Sequence, residues 1–216
     1  MKARNIKITF SDAIELYNSG NERLKMLALN AFTEKELSHR FIRIQTLQDA
    51  CMALNLDTTD IIRKANDIAK VSKASAAMFK LNIIRKALNL GYDLHLTKDH
   101  GDYGIYHPHN PFLVEDSTYF ESDIDSGKME IIGKIFSDGM PYNVLSGWAG
   151  RNGGNGLGSF QYCDGVGHPE ADNGFLGCAT REIAEHFGKY FGMLIIEAMY
   201  GDLPGFTIIE EKYHHL

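Results

Sequence analysis

Through residues 11–91 apolar positions recur at helical spacing, and from Tyr92 onward that period is lost. Ser11 stands where a cap is expected for a short helix ending near Gly20. The next predicted helix carries Leu24, Leu27, Ala28 and Ala31 on one face. Thr33 and Glu36 then form a capping-box pair, followed by Leu37, Phe41 and Ile44 at helical spacing. Thr46 opens a segment with Leu47, Ala50, Cys51 and Leu54 as its stripe, and Asp57 caps one holding Ile61, Ala65, Ile68 and Ala69. Ser72 starts the strongest helix, with Ala74, Ala77, Met78, Leu81, Ile84 and Leu88 on one side and Gly91 as its expected C-terminal cap.

Beyond Tyr92, prolines, glycines and short β-branched or aromatic runs replace the helical period. Strands are predicted at 93–97, 103–107, 129–136, 143–148, 159–163 and 174–179. The acidic stretch 115–125 reads as an exposed connection. Thr180 caps a helix reaching about Tyr200, its buried face made of Ile183, Phe187, Phe191, Leu194, Ile195 and Ala198. Gly188 and Gly192 on a neighbouring line predict close backbone packing, because glycine is otherwise a poor helix former. Phe206–Ile209 is a candidate last strand. These elements define an α+β fold: a helical region over 1–91, then an antiparallel β-rich region over 92–216 closed by one C-terminal helix. The two regions are also compatible with one compact unit.

Composition narrows the class. The chain has 216 residues, 44% of them hydrophobic and 23% charged, as a globular protein requires. A net charge of −6, from 28 acidic against 22 basic residues, argues against general nucleic-acid binding, which needs clustered Lys and Arg. The stretch Phe187–Met199 is interrupted by Gly188, Gly192 and Glu197, so no membrane span is expected. The start, MKARNIKITF, lacks the apolar run of a signal peptide. Three cysteines, Cys51, Cys163 and Cys178, with no CxxC spacing, fit a reducing compartment and hence the cytoplasm.

Two stretches hold candidate chemistry. Between Gly147 and Gly177 lie 10 of the 21 glycines, interleaved with Asn152, Asn155, Asp164 and Asn173. No Lys follows in a phosphate-loop pattern, and Gly154, Gly156 and Gly158 lead into strand-like residues instead of a helix N-terminus. Two readings stand: a surface connection using Gly and Asn for turns, or an ordered binding loop. In the second, Trp148, Arg151, Asn152, Asn155, Tyr162, Asp164 and His168 supply stacking faces and hydrogen-bonding groups.

The second stretch groups His95, His100, His107 and His109 beside Asp99 and Asp102. In extended chain, His107 and His109 point to one face, a spacing used by divalent-metal sites. No HExxH motif and no third ligand at matching spacing accompanies them, so exposed histidines around Pro108 are the competing reading. No other cofactor is expected. Cys163 and His168 lack the surroundings of a cysteine nucleophile, Cys178 in FLGCA reads as a buried thiol, and there is no GxSxG elbow.

The segments AAMFKLNIIRKALNLGY (76–92) and NGFLGCATREIAEHFGKYF (173–191) resemble a family of uncharacterised proteins of gut Bacteroides-type bacteria and their phages. The first part of its pattern is matched by Lys80, Leu81, Ile84, Ala87, Leu88, Asn89 and Gly91. The second is matched by Gly177, Cys178, Glu182, Ala184, Gly188, Lys189 and Phe191. Residues 112–147 depart from the pattern and look inserted. The resemblance implies an arrangement of elements and a phage or mobile-element origin, but no activity. More loosely, LSGW, the asparagine-rich loop and NGFLGCA are similar to C-type-lectin-like variable domains. That likeness implies Trp148 and 175–179 as scaffold, with 151–155 and 162–168 facing a ligand.

The expectation is a non-enzymatic protein that binds a protein or small ligand through the 147–173 loop. The competing class is a metal-dependent hydrolase using the 95–109 histidine cluster with His107 and His109 as ligands. A structural or assembly role is the third.

Overall fold

The computed structural model describes residues 8, 10–90, 97–99, 102–107, 112–115, 120–147, 161–163 and 176–214. The chain divides into two compact units, Met1–Arg43 and Ile44–Leu216.

In the first unit, α1 (Phe10–Tyr17), α2 (Glu22–Leu29) and α3 (Glu34–Ser38) precede a 3₁₀ turn, Arg40–Arg43. Asn21 caps α2 by accepting from the N–H groups of Arg23 and Leu24. The Thr33–Glu36 box forms as expected: Thr33 N donates to Glu36 at 2.9 Å and Glu36 N to Thr33 Oγ1 at 3.3 Å. The helix behind it is shorter than the spacing of Leu37, Phe41 and Ile44 predicts. The predicted α2 face is also only partly buried. Ala28 is in the core with Ala13 and Leu37, while Leu24 and Leu27 remain 37% and 45% exposed. The small core closes around Ala28, with Leu29 and Phe32 packed beside it, so the buried stripe is rotated from the one the leucines suggest.

The second unit holds α4 (Leu47–Ala53), α5 (Thr58–Ala69), α6 (Lys73–Leu88), α7 (Glu121–Asp125) and α8 (Arg181–Tyr200). Thr46, Asp57, Ser72 and Thr180 cap α4, α5, α6 and α8 as expected, each accepting from an N–H of the first turn. Asn89 is the C-terminal cap of α6, and Gly91 lies outside the described residues. Within this unit α4 and α5 lie on α6, and α6 lies along α8.

The strands are β1 (Thr97–Asp99), β2 (Asp102–His107), β3 (Phe112–Val114), β4 (Met129–Ser137), β5 (Met140–Gly147), β6 (Gln161–Cys163) and β7 (Thr207–Glu211). They form a four-stranded antiparallel sheet ordered β3-β5-β4-β7 and a three-stranded one ordered β1-β2-β6. The β4–β5 hairpin turns on Asp138 and Gly139, with φ of 51° and 82°, as a tight two-residue hairpin turn demands. β7 follows α8, so the C-terminal helix is not the last element. Its pairing with β4 shifts register between Lys134 and Ile135, and Ile209 is the extra residue. A bulge, together with Glu210 and Glu211, makes this edge a poor template for another strand.

One face of the larger sheet packs on α8. Ile132, Ile135 and Val144 meet Met193, Ile196 and Phe206. From Phe191 to Ile196 every residue of α8 is buried, which needs partners on several sides, and α8 has α6 as well as the sheet. The approach is close where glycine permits it, with Ser146 Oγ donating to the carbonyl of Gly188 at 3.2 Å. The opposite face of the sheet is covered by the acidic stretch expected to be an exposed connection. There Phe120, only 6% exposed, packs on Met129 and Leu145 beside Ile124. The charged residues of α7 face water, while Phe120 and Ile124 on the same stretch close the sheet.

The expected strand at 174–179 is absent over 176–179, where Cys178 makes only an isolated bridge. Hydrogen bonds from a side chain of α6 hold this piece of chain instead. Most of the expected strand at 93–97 lies outside the described residues.

Candidate functional site

Both ends of the glycine- and asparagine-rich segment are fastened. It leaves β5 at Gly147, which pairs with Met129 on the neighbouring strand. It returns at Leu176, which is fully buried. There Asn89 Nδ2 donates to the carbonyl of Gly177 at 3.1 Å, and the N–H of Ala179 donates to Asn89 Oδ1 at 2.7 Å. The Cys178 thiol donates to the Leu176 carbonyl at 3.3 Å. Burial pushes that thiol far above its usual range, so it is an inert core group, as its apolar neighbours in the sequence imply.

Between these ends the segment contributes β6, and β6 pairs with β2. The register sets Tyr162 opposite Tyr106, Gln161 opposite His107 and Cys163 opposite Ile105. Two stretches that sequence reasoning treats as separate candidates, the glycine loop and the histidine cluster, therefore share one ladder. Both strands lie against α8. Tyr162 and His107 are placed in this way. Trp148, Arg151, Asn152, Asn155, Asp164, His168 and His109 lie outside the described residues. Among the described residues no three His, Cys, Asp or Glu side chains group as a metal site would require.

No family model, curated protein or solved structure matches the chain.

A polar cluster beside α8 has no counterpart in the sequence reading. Glu130 on β4 accepts from Tyr213 and pairs with Lys212, and Lys189 of α8 stands 3.3 Å from its other oxygen. Burial raises the Glu130 carboxyl, but the bonds from Lys212 and Tyr213 and the nearby lysine charges outweigh it and hold the group below its usual range. Burial and the Glu130 bond push the Tyr213 phenol far upward. A firmly ionised acid beside a firmly neutral phenol is not poised to exchange protons near neutral pH. The cluster fixes the chain after β7 against β4 and α8.

His186 sits one turn from Tyr190, with ring centroids 4.5 Å apart, and Tyr190 meets Tyr213 at 4.8 Å. The His186 Nε2 lies 2.7 Å from the carbonyl of Ile44. Burial lowers its pKa to about 4, against a smaller opposing effect of that carbonyl. The ring is therefore neutral at pH 7 and donates Nε2–H. No periodicity announces the contacts of Tyr190 with Tyr213 and of His186 with Ile44, because each joins residues distant in sequence.

Proposed function

We propose that this is a non-enzymatic binding protein whose recognition surface is the 147–173 segment carried on β2, β6 and α8. One observation supports the reading above others: the segment is tied down at Gly147, at β6 and at Leu176–Ala179. A long connection serving only as a spacer needs no such internal ladder, whereas a binding loop gains affinity from being ordered before its partner arrives. The paired Tyr106 and Tyr162 positions put aromatic residues, the commonest anchors of recognition surfaces, at the base of the segment. The partner is a protein or a small ligand. No helix among the described residues is long and apolar enough to cross a membrane. The free, buried Cys51 and Cys178 agree with a reducing compartment, and we place the protein in the cytoplasm.

The test uses the full chain and a variant in which residues 149–160 are replaced by a short Gly-Ser linker. Probes are selected for the full chain from a random peptide display library and a glycan array. The expected result is a probe whose affinity falls on the order of tenfold or more in the linker variant and in Tyr162→Ala, with unchanged thermal melting. Selected probes that bind the linker variant equally well, or no probe at all, would remove the loop from any role in recognition.

A further inference from the structure

The three-stranded sheet sorts its residues by chemistry. Successive residues of a strand alternate between faces, and residues paired across strands share one. The registers therefore put Thr97, Asp99, Asp102, Gly104, Tyr106 and Tyr162 on one face. Lys98, Tyr103, Ile105, His107, Gln161 and Cys163 fall on the other. α8 packs against β2 and β6. An apolar helix takes the face that carries Ile105 and Cys163, which leaves the face of the carboxylates and the tyrosine pair directed away from it.

That face is arranged around negative charge. Asp99 and Asp102 stand directly opposite each other across the β1–β2 hairpin, where like charges destabilise a sheet. The basic residues of the same described strands, Lys98 and His107, are on the other face. Four residues along β2 from Asp102, Tyr106 stands opposite Tyr162. Gly104 and Thr97 lie between, so small residues separate the acidic pair from the aromatic pair. The surrounding sequence has the same sign. Residues 92–216 carry 19 Asp and Glu against 7 Lys and Arg, whereas residues 1–91 carry 9 against 15. A field of that sign steers cations toward the region.

We propose that this face docks a basic segment of a partner protein in extended conformation, with one cationic side chain at the Tyr106–Tyr162 pair and a second at Asp99 and Asp102. The inference rests on the reading of the 147–173 segment as a recognition surface and names the chemistry of its partner. An aromatic pair attracts a guanidinium through its ring faces, and two carboxylates gain a counter-ion in place of their mutual repulsion. At about 3.4 Å per residue, four steps along β2 span roughly 13–14 Å, the separation of side chains four apart on one side of an extended peptide. Gly104 leaves space for the side chain midway between them.

Binding to the full chain is followed by fluorescence anisotropy with three labelled peptides built on Thr, Ser and Val. One has Arg and Lys four positions apart, one has them three apart, and one has Glu at both places. Expected is saturable binding of the first, weakened by added salt, with the second weaker on the order of tenfold and the acidic peptide unbound. Asp99→Asn combined with Asp102→Asn, and separately Tyr106→Leu, each weakens the first peptide by a similar factor. The asparagine pair keeps or raises the melting temperature because it removes the repulsion, so binding lost there is not folding lost. Equal affinity for the two cationic spacings, unchanged binding in the asparagine variant, or no binding of either cationic peptide overturns the proposal. A calcium-dependent rise in melting temperature that vanishes in the asparagine variant also overturns it, by giving the aspartates to a metal ion. Failure of the cationic peptides, beside a display-selected uncharged probe that still needs residues 149–160, sinks this inference and leaves the recognition surface standing.

Discussion

The backbone N–H of Ala179 donates to Oδ1 of Asn89 at 2.7 Å, across 90 residues of sequence. At the opposite ends of the same two helices the relation is mirrored. Asp202, just past α8, accepts from Ser72 Oγ at 2.5 Å and from Ala74 N at 3.2 Å at the start of α6. The two helices therefore run antiparallel, and each supplies a side chain to the chain end of the other. The Asn89 contact is buried and the Asp202 contact is exposed, so the former carries more of the stability.

Asn89→Ala removes both bonds and leaves the Gly177 carbonyl and the Ala179 N–H without their partner. The expected loss is about 2–4 kcal/mol in urea denaturation. Asn89→Asp keeps the acceptor for Ala179 and loses the donor to Gly177, so it falls between. A loss below about 0.5 kcal/mol in the alanine variant would mean that the segment before α8 is held by other contacts.

Gly133→Ala is expected to destabilise strongly. A Cβ there would lie 2.5 Å from the carbonyl oxygen of Glu210 and 2.6 Å from the Met193 sulfur. Methionine yields easily, but the β7 backbone does not, so the cost is about 1–3 kcal/mol or more. Combining it with Met193→Ala tests which neighbour matters. Full restoration of the Met193→Ala melting temperature would show that the clash with β7 is not the limiting one.

Phe120→Ala uncovers Met129 and Leu145 on the outer face of the sheet. A loss of about 3–5 kcal/mol is expected, as for other buried phenylalanines. Substituting the neighbouring Glu121, which is exposed, is expected to change stability by less than about 0.5 kcal/mol. Equal effects at the two positions would return the 115–125 stretch to the role of a simple connection.

Stability is expected to fall between pH 6.5 and about 4 because of His186. Its folded pKa is lowered to about 4 from the ordinary 6.5, so in this interval the unfolded chain binds a proton that the folded protein does not. The contribution is complete above pH 6.5 and is lost progressively as the pH falls, amounting to roughly 3 kcal/mol. Denaturation curves of the native protein and His186→Gln at several pH values isolate it. Parallel pH profiles for the two proteins would show that another group drives the change. The carboxyls of Glu130, Asp60 and Asp202 are held below their usual ranges and act at lower pH, and they are common to both proteins.

Part of the candidate site was legible from the residues. A strand at 159–163 was legible, and β6 forms within it at Gln161–Cys163. That β6 would pair with β2, bringing Tyr162 opposite Tyr106, was not, because strand pairing at this separation leaves no local trace. Nothing in the residues around Asn89 announces its reach. A C-terminal asparagine looks the same whether it caps its own helix, reaches across to another, or, like this one, does both.

What the sequence determined alone is the start of five helices. Thr33, Thr46, Asp57, Ser72 and Thr180 each satisfy an N–H only two or three residues away, so the signal and the structure it specifies lie in the same short window. Tertiary structure decided which faces were buried and which polar groups met. Leu24 and Leu27 remain exposed although their spacing suits a core, and Phe120 is buried within an acidic run. Burial depends on what surface arrives from elsewhere in the chain, and a hydrophobic pattern states only that some surface is needed.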